Sequence, residues 1–347
     1  MKQVWITKAG SPNVLQVQEA PDPVPGPLEV RIRVQASGVN FADLMARMGL
    51  YPDAPKIPCV VGYEVAGVVD AVGQGVTEFH SGDAVMAMTN FGGYSDVVCP
   101  PAVQVLPRPP KMSAQEGAAF PVSYLTAYAL LVVMGSLHKG DRVLIQSAAG
   151  GLGLAALDIC RVHGAETIGL ASPFKHGFLK ERGLDHAINS RAADWAKEVR
   201  EITKGEGVEV VLNSQGGQSL RQSYDLLAPT GRLLTFGASS IAAGTRRSIG
   251  ALLSFIASTP RFAPLRLMND SRGVLGVHIG HFRGQERKVR AWTEQLLAWY
   301  NEGRLHPHVD RTFPFSEAAA AHQYLHDRKA TGKVVLVPFL EEAEKLR

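Results

Sequence analysis

Between Arg142 and Cys160 the chain reads RVLIQSAAGGLGLAALDIC, a stretch whose residue types suit a phosphorylated cofactor. The apolar run Val143 to Gln146 has strand character, small residues follow it, and a helical pattern begins at Leu152. Ala148 to Gly153 has the spacing of the dinucleotide fingerprint G-x-G-x-x-G, with alanine in place of the first glycine. Without a Cβ, Gly150 lets the backbone approach a pyrophosphate, and Gly153 lets the helix pack tightly on the strand. Ala149, Gly150, Gly151 and Leu152 are the expected phosphate ligands, because the free N–H groups of a first helical turn stand at the positive end of its dipole.

The next strand, Glu166 to Ala171, follows at the spacing expected of a parallel βαβ unit. An NAD-selective site ends this strand in Asp or Glu, which accepts hydrogen bonds from the adenine ribose. Here Ser172 ends it, and Pro173, Phe174 and Lys175 follow. A hydroxyl and an ammonium at that corner suit a 2′-phosphate, so the expected cofactor is NADPH.

These residues must be held by a sizeable scaffold. The 347 residues are enough for one large or two ordinary domains. With 46% hydrophobic and 20% charged residues the composition is that of a soluble globular protein. A net charge of +4 spread along the chain gives no basis for nucleic-acid binding. The most apolar segment, Ala118 to Val133, is too short and too interrupted to span a bilayer, so no integral membrane segment is expected. Met1-Lys-Gln-Val-Trp-Ile reads as a strand, and the scattered Cys59, Cys99 and Cys160 read as thiols in a reducing cytoplasm.

Proline-rich punctuation and short alternating strands predict a barrel-like β domain over residues 1–123. From Tyr124 strands alternate with helices. Six strands, near 143–147, 166–171, 186–189, 208–213, 232–236 and 273–278, predict a doubly wound parallel sheet of Rossmann type over 124–282. An amphipathic helix over 286–302, a short helix near 316–327 and a strand over 333–337 follow. The segment 283–347 is expected to complete the β domain. The stretch Ser248 to Asn269 is unusually apolar, with Arg261 and Arg266, and reads as a loop serving as a dimer contact, a lid or a lipid contact.

Three blocks carry a family resemblance: Ser37-Gly-Val-Asn-Phe-Ala-Asp43, Val61-Gly-Tyr-Glu-Val-Ala-Gly-Val-Val69, and Ser147 to Gly153 preceded by Leu125-Thr-Ala-Tyr128. In these the chain resembles the medium-chain dehydrogenase/reductases. The resemblance implies an α/β architecture in which a GroES-like β domain accompanies a Rossmann domain. Zinc alcohol dehydrogenases of this superfamily place a Cys and a His where this chain has Asn40 and Tyr63, neither a good zinc ligand. Their four-cysteine lobe is also missing, and His278 and His281 read as structural or pocket-lining, so no metal is expected. The chain looks most like the zinc-free quinone oxidoreductase group that includes zeta-crystallin, in the branch of the vesicle amine transport protein homologue. Gly38 to Arg47, Gly276 to Gly280 and Leu297 to Gly303 carry that likeness. A second likeness, in Ala171 to Lys175, Asn189 to Arg191 and Val211 to Ser214, is to enoyl reductase domains of polyketide and fatty-acid synthases.

The resemblance implies hydride transfer from NADPH to a quinone or an α,β-unsaturated carbonyl. A non-catalytic, lipid-associated NADPH-binding protein and a stand-alone enoyl-thioester reductase are the alternatives. It implies that Ser190 and Arg191 join Lys175 at the 2′-phosphate, and that Thr126, Asn213, Phe236 and Gly237 face the cofactor. Asn40 is assigned a hydrogen bond near the nicotinamide ribose or the acceptor oxygen, and Tyr51 a place in the pocket wall or a proton donor's role. Met45 stands where relatives often carry a tyrosine acid. Lys333 is expected to reach the cofactor phosphates or solvent. Zinc-free members commonly form homodimers through the edge strands of their Rossmann sheets.

Overall fold

The computed structural model describes residues 1–242, 244, 248–282 and 284–338. They form two compact units. Of these residues, the first unit holds 1–122, 244 and 307–338, and the second 123–242, 248–282 and 284–306.

The first unit is a β structure. Its seven-stranded sheet runs Val309–Pro314, Lys333–Val337, Val30–Val39, Glu64–Val72, Ala84–Met88 and Val105–Pro107, with Val97–Val98 also pairing to Val30–Val39. A smaller sheet joins Leu15–Glu19, Lys2–Ile6 and Cys59–Val60. The C-terminal strand Lys333–Val337 lies antiparallel to Val30–Val39, pairing Val334 with Val39. That register places Lys333 beside Asn40, the residue that opens the short helix Phe41–Arg47. Val4, Ile6, Val61, Val334 and Leu336 share one core cluster, so the last strand is held by the same apolar burial as the first.

The second unit is a six-stranded parallel sheet in the order His186–Asn189, Glu166–Ala171, Arg142–Gln146, Val208–Asn213, Leu227–Thr235, Gly273–Gly276. Numbered along the chain, that order is 3-2-1-4-5-6, so the order reverses beside the glycine-rich turn. Val143, Leu144 and Ile145 are fully buried, which is why this strand reads as a continuous apolar run rather than an alternating one. The helix Gly151–His163 ends at Gly164, whose positive φ of 70° closes it in the left-handed region.

Two sequence expectations change here. The helix Glu286–Asn301 and the chain after it to His306 belong to the second unit, not to the β domain. Trp292 and Trp299 both pack on Tyr128, at centroid distances of 6.1 and 5.9 Å. Buried Asp158 accepts the His306 N–H at 2.7 Å and the Tyr124 hydroxyl at 2.7 Å, and Arg161 donates to the Arg304 carbonyl. The apolar stretch after Ser248 is two helices, Ile249–Ser258 and Pro264–Asp270, rather than a loop. Phe262 and Leu267 pack into the core of this unit, while Ile249, Leu253, Ile256, Leu265 and Met268 are exposed. Among the described residues no helix is long and apolar enough to cross a membrane.

Candidate functional site

In the second unit the first parallel strand breaks at Ser147, which adopts a positive φ of 55°. Its hydroxyl meets that of Ser214, beyond the end of the fourth strand, at 3.0 Å. Gly150 is the N-cap of the 13-residue helix, and no side chain caps that end. The two glycines differ in what demands them. A Cβ on Gly153 would meet the Ser147 carbonyl oxygen at 2.5 Å, so the fold itself requires glycine there. A Cβ on Gly150 would meet only that same oxygen, at 3.3 Å, and its φ of −85° suits any residue. The open space beside Gly150 and the uncapped N–H groups fit a phosphate group.

The next two strands bring four predicted residues together. Ala171 and Asn189 are register partners, so Ser172 with Lys175 and Ser190 with Arg191 emerge side by side, and Ser190 N–H donates to the Ala171 carbonyl. Lys175 is buried on the 3-10 turn Pro173–Lys175, its amine 5.4 Å from the centre of the Phe174 ring. No carboxylate ends the second strand.

Other predicted residues have structural duties. The Asn213 side chain donates to Ser219 and Ser223 of the helix Gln218–Tyr224 and accepts from the N–H groups of Gln215 and Gly216, so its amide ties the loop to that helix. Gly237 lies against the Ser214 carbonyl, where a Cβ would stand 2.7 Å away. Phe236 bonds through its N–H to the Asn213 carbonyl, and Thr126 is buried on the helix Pro121–Tyr128. His278 and His281 stack on each other at 4.0 Å.

In the first unit Asn40 opens the helix Phe41–Arg47, and its N–H donates to the Asp43 carboxylate. Its Nδ2 donates to Glu64 Oε1 at 3.0 Å, and its Oδ1 accepts from Lys333 Nζ at 2.6 Å. Lys333 also pairs with Glu64 Oε1 at 2.5 Å, which closes a triangle. The second oxygen of Glu64 accepts the Val122 N–H at 2.8 Å. Glu64 and Lys333 are both buried, and a Cβ on Gly38 would collide with Glu64 Oε1. Lys333 is thus a fixed partner of Asn40 rather than a solvated surface lysine. Glu64 is the residue that sequence reasoning missed, and its one signal was a carboxylate heading the apolar strand Val65 to Val69.

Tyr51, Tyr63 and Phe91 form an aromatic wall in this unit. The Tyr51 and Tyr63 rings meet edge-on at 6.1 Å and Tyr63 lies 5.1 Å from Phe91. Burial, with the Asp53 charge second, pushes the Tyr51 phenol up to about 12, so it holds its proton throughout the neutral range. Met45, on the adjoining helix, is buried.

Beneath the wall, Asp43 is fully buried and accepts from Asn40 N–H, Gly62 N–H and the Tyr94 hydroxyl. Burial raises its carboxyl to about 7 despite those donors. The folded pKa lies above the ordinary carboxylate value, so the stability this group confers is complete below about pH 4 and is lost as pH rises through 7. We expect denaturant unfolding at pH 5 and pH 8 to show that decline in the parent, and Asp43→Asn to flatten it.

Comparison with known proteins identifies the family. Residues 26–110 match the family model described as an alcohol dehydrogenase GroES-like domain, and residues 182–336 the model described as a zinc-binding dehydrogenase. The chain is 39% identical to the synaptic vesicle membrane protein VAT-1 homologue of Homo sapiens over 325 residues, which is 93% of this chain and 82% of that protein. The solved structure of CurK enoyl reductase matches with a TM-score of 0.84 at 31% identity, covering 97% of this chain and 98% of that one. The quinone oxidoreductase of Escherichia coli, solved in complex with NADPH, matches with a TM-score of 0.86 at 28% identity, covering 97% and 100%. The chain belongs to the medium-chain dehydrogenase/reductase family of oxidoreductases, in the zinc-independent group that holds the VAT-1 homologues.

Proposed function

We propose that the protein is an NADPH-dependent, zinc-independent oxidoreductase that reduces quinones or α,β-unsaturated carbonyl compounds. The observation that carries the reading is the pairing of an open glycine turn with a second strand that ends without a carboxylate, beside which Ser172, Lys175, Ser190 and Arg191 emerge. The turn fits a pyrophosphate and the corner a 2′-phosphate, which is the difference between NADPH and NADH. NADPH, when bound, supplies the hydride. For an enone the hydride goes to the β-carbon and a proton to the α-carbon.

The chain's own residues hold and orient. Ala149, Gly150, Gly151 and Leu152 present backbone donors to the phosphates. Lys333 and Glu64 fix the Asn40 amide in one orientation, so its remaining N–H offers a donor with little freedom to lose. Tyr51 and Phe91 exclude water along the wall, and Tyr51 carries a phenolic proton at neutral pH. The likeness to an enoyl reductase favours a second acceptor class, the enoyl thioesters. The edge strand Gly273–Gly276 offers a pairing edge to a second copy, and light scattering is expected to give twice the chain mass.

The test is NADPH and NADH oxidation with 9,10-phenanthrenequinone, a 2-alkenal and crotonyl thioester, with and without EDTA. Turnover with NADPH that EDTA leaves unchanged is expected, and crotonyl thioester as the best acceptor would move the reading to enoyl reduction. Silence on all three with NADPH still bound would make this a binding protein. Lys175→Ala is expected to raise the KM for NADPH by roughly 10- to 100-fold while leaving that for NADH nearly unchanged, as for loss of a charge-assisted phosphate contact.

A further inference from the structure

Ser147 follows the last residue of the strand Arg142–Gln146, and Ser214 the last residue of Val208–Asn213. These two strands are hydrogen-bonded neighbours, and between them the strand order of the parallel sheet reverses. An open parallel sheet takes its ligand in the crevice outside the strand ends at such a point. The serine hydroxyls meet across that crevice at 3.0 Å.

Both serines are pinned by their backbones and open at their side chains. The Ser147 carbonyl accepts the Gly150 N–H at 2.9 Å, and the Ser214 carbonyl accepts the Ser239 N–H at 3.1 Å. Asn213 holds the N–H groups of the two residues after Ser214. Ser147 is exposed and Ser214 half-buried, so a ligand has room to reach the pair. A pair of hydroxyls uses one O–H between its members and keeps the second for a third group. Among the described residues neither hydroxyl has another partner. Ser147 also holds a φ of 55°, in the left-handed region that favours glycine. Glycine suits that backbone better, so what serine adds here is its hydroxyl.

We propose that the Ser147–Ser214 pair seats the nicotinamide half of the cofactor, donating its free O–H to an oxygen of the nicotinamide-side phosphate or ribose. The proposal rests on the NADPH reading above. It assigns to this pair the half of the cofactor that the glycine turn and the Ser172 corner do not serve.

Adenosine 2′,5′-bisphosphate is the control ligand, because it carries the adenine, the 2′-phosphate and the adenosine-side phosphate but no nicotinamide half. Binding is measured without any acceptor, by fluorescence titration for NADPH and by calorimetry for the bisphosphate. Ser147→Gly and Ser214→Ala are each expected to weaken NADPH binding by roughly 5- to 10-fold, as for one lost hydrogen bond, and to leave bisphosphate affinity within about twofold. Without ligand, Ser147→Gly is expected to unfold at the parent's temperature, since glycine accepts the positive φ. Unchanged NADPH affinity in both variants would overturn the proposal. So would a parallel loss of both ligands, the mark of a clasp that only holds the two strand ends together. Absence of NADPH binding to the parent would overturn the cofactor reading itself, and this proposal with it.

Discussion

Gly150→Asp is expected to leave the protein as stable as the parent, or more so by roughly a few tenths of a kcal/mol, the difference between aspartate and glycine at an N-cap. It is also expected to weaken NADPH binding by on the order of a hundredfold or more, since it sets a fixed negative charge against phosphates at a helix N-terminus. The backbone at Gly150 is extended, with φ −85° and ψ 169°, so aspartate enters without strain. The nearest atom to its Cβ is the Ser147 carbonyl oxygen at 3.3 Å, which the turn can accommodate by a small shift. Its carboxylate would accept the N–H groups that no side chain of the parent caps, and those are the groups the phosphates need. Gly153→Ala is the contrast, because its Cβ would run into the Ser147 carbonyl at 2.5 Å and cost stability first. Thermal unfolding and fluorescence titration with NADPH read both quantities. Unchanged NADPH affinity in Gly150→Asp would remove the cofactor from this turn.

Lys333→Met is expected to destabilise the first unit by about 3–5 kcal/mol, the usual cost of leaving one member of a buried ion pair alone. Glu64 has no exposed surface, and its remaining partners, the Asn40 amide and the Val122 N–H, carry no charge. The double variant Glu64→Gln with Lys333→Met is expected to regain most of that loss, because no uncompensated charge remains. It should still turn over more slowly than the parent, since Asn40 would no longer be held from both sides. Denaturant unfolding of the single and double variants separates the two effects. Equal stability of Lys333→Met and the parent would mean that the ion pair is not buried in solution.

The Rossmann half was legible because its signals are local. Glu166–Ala171, His186–Asn189 and Val208–Asn213 each combine an apolar run with a defined break, and the glycine turn announces where the sheet order reverses. The triangle was legible only in part. Asn40 and Lys333 are 293 residues apart, and nothing near either one shows that a strand register will set them side by side. Asn213 illustrates the opposite case. A polar residue at a strand end looks like a ligand in sequence, but here its amide makes four contacts, two with loop N–H groups and two with serines of the helix Gln218–Tyr224. The helix Glu286–Asn301 was recognised by its amphipathic face, yet which unit that face covers depends on Tyr128 and Asp158, far back in the chain.

The central claim is that hydride passes from NADPH to a carbon or quinone acceptor without a metal. The direct measurement is isotope transfer. Each of the two diastereomers of NADPH deuterated at C4 is incubated with an enone and EDTA-treated protein, and the product is examined by mass spectrometry. The account predicts one deuterium at the β-carbon of the product from one diastereomer and none from the other. Reduced product without deuterium from either, or transfer that appears only when zinc is restored, would contradict it.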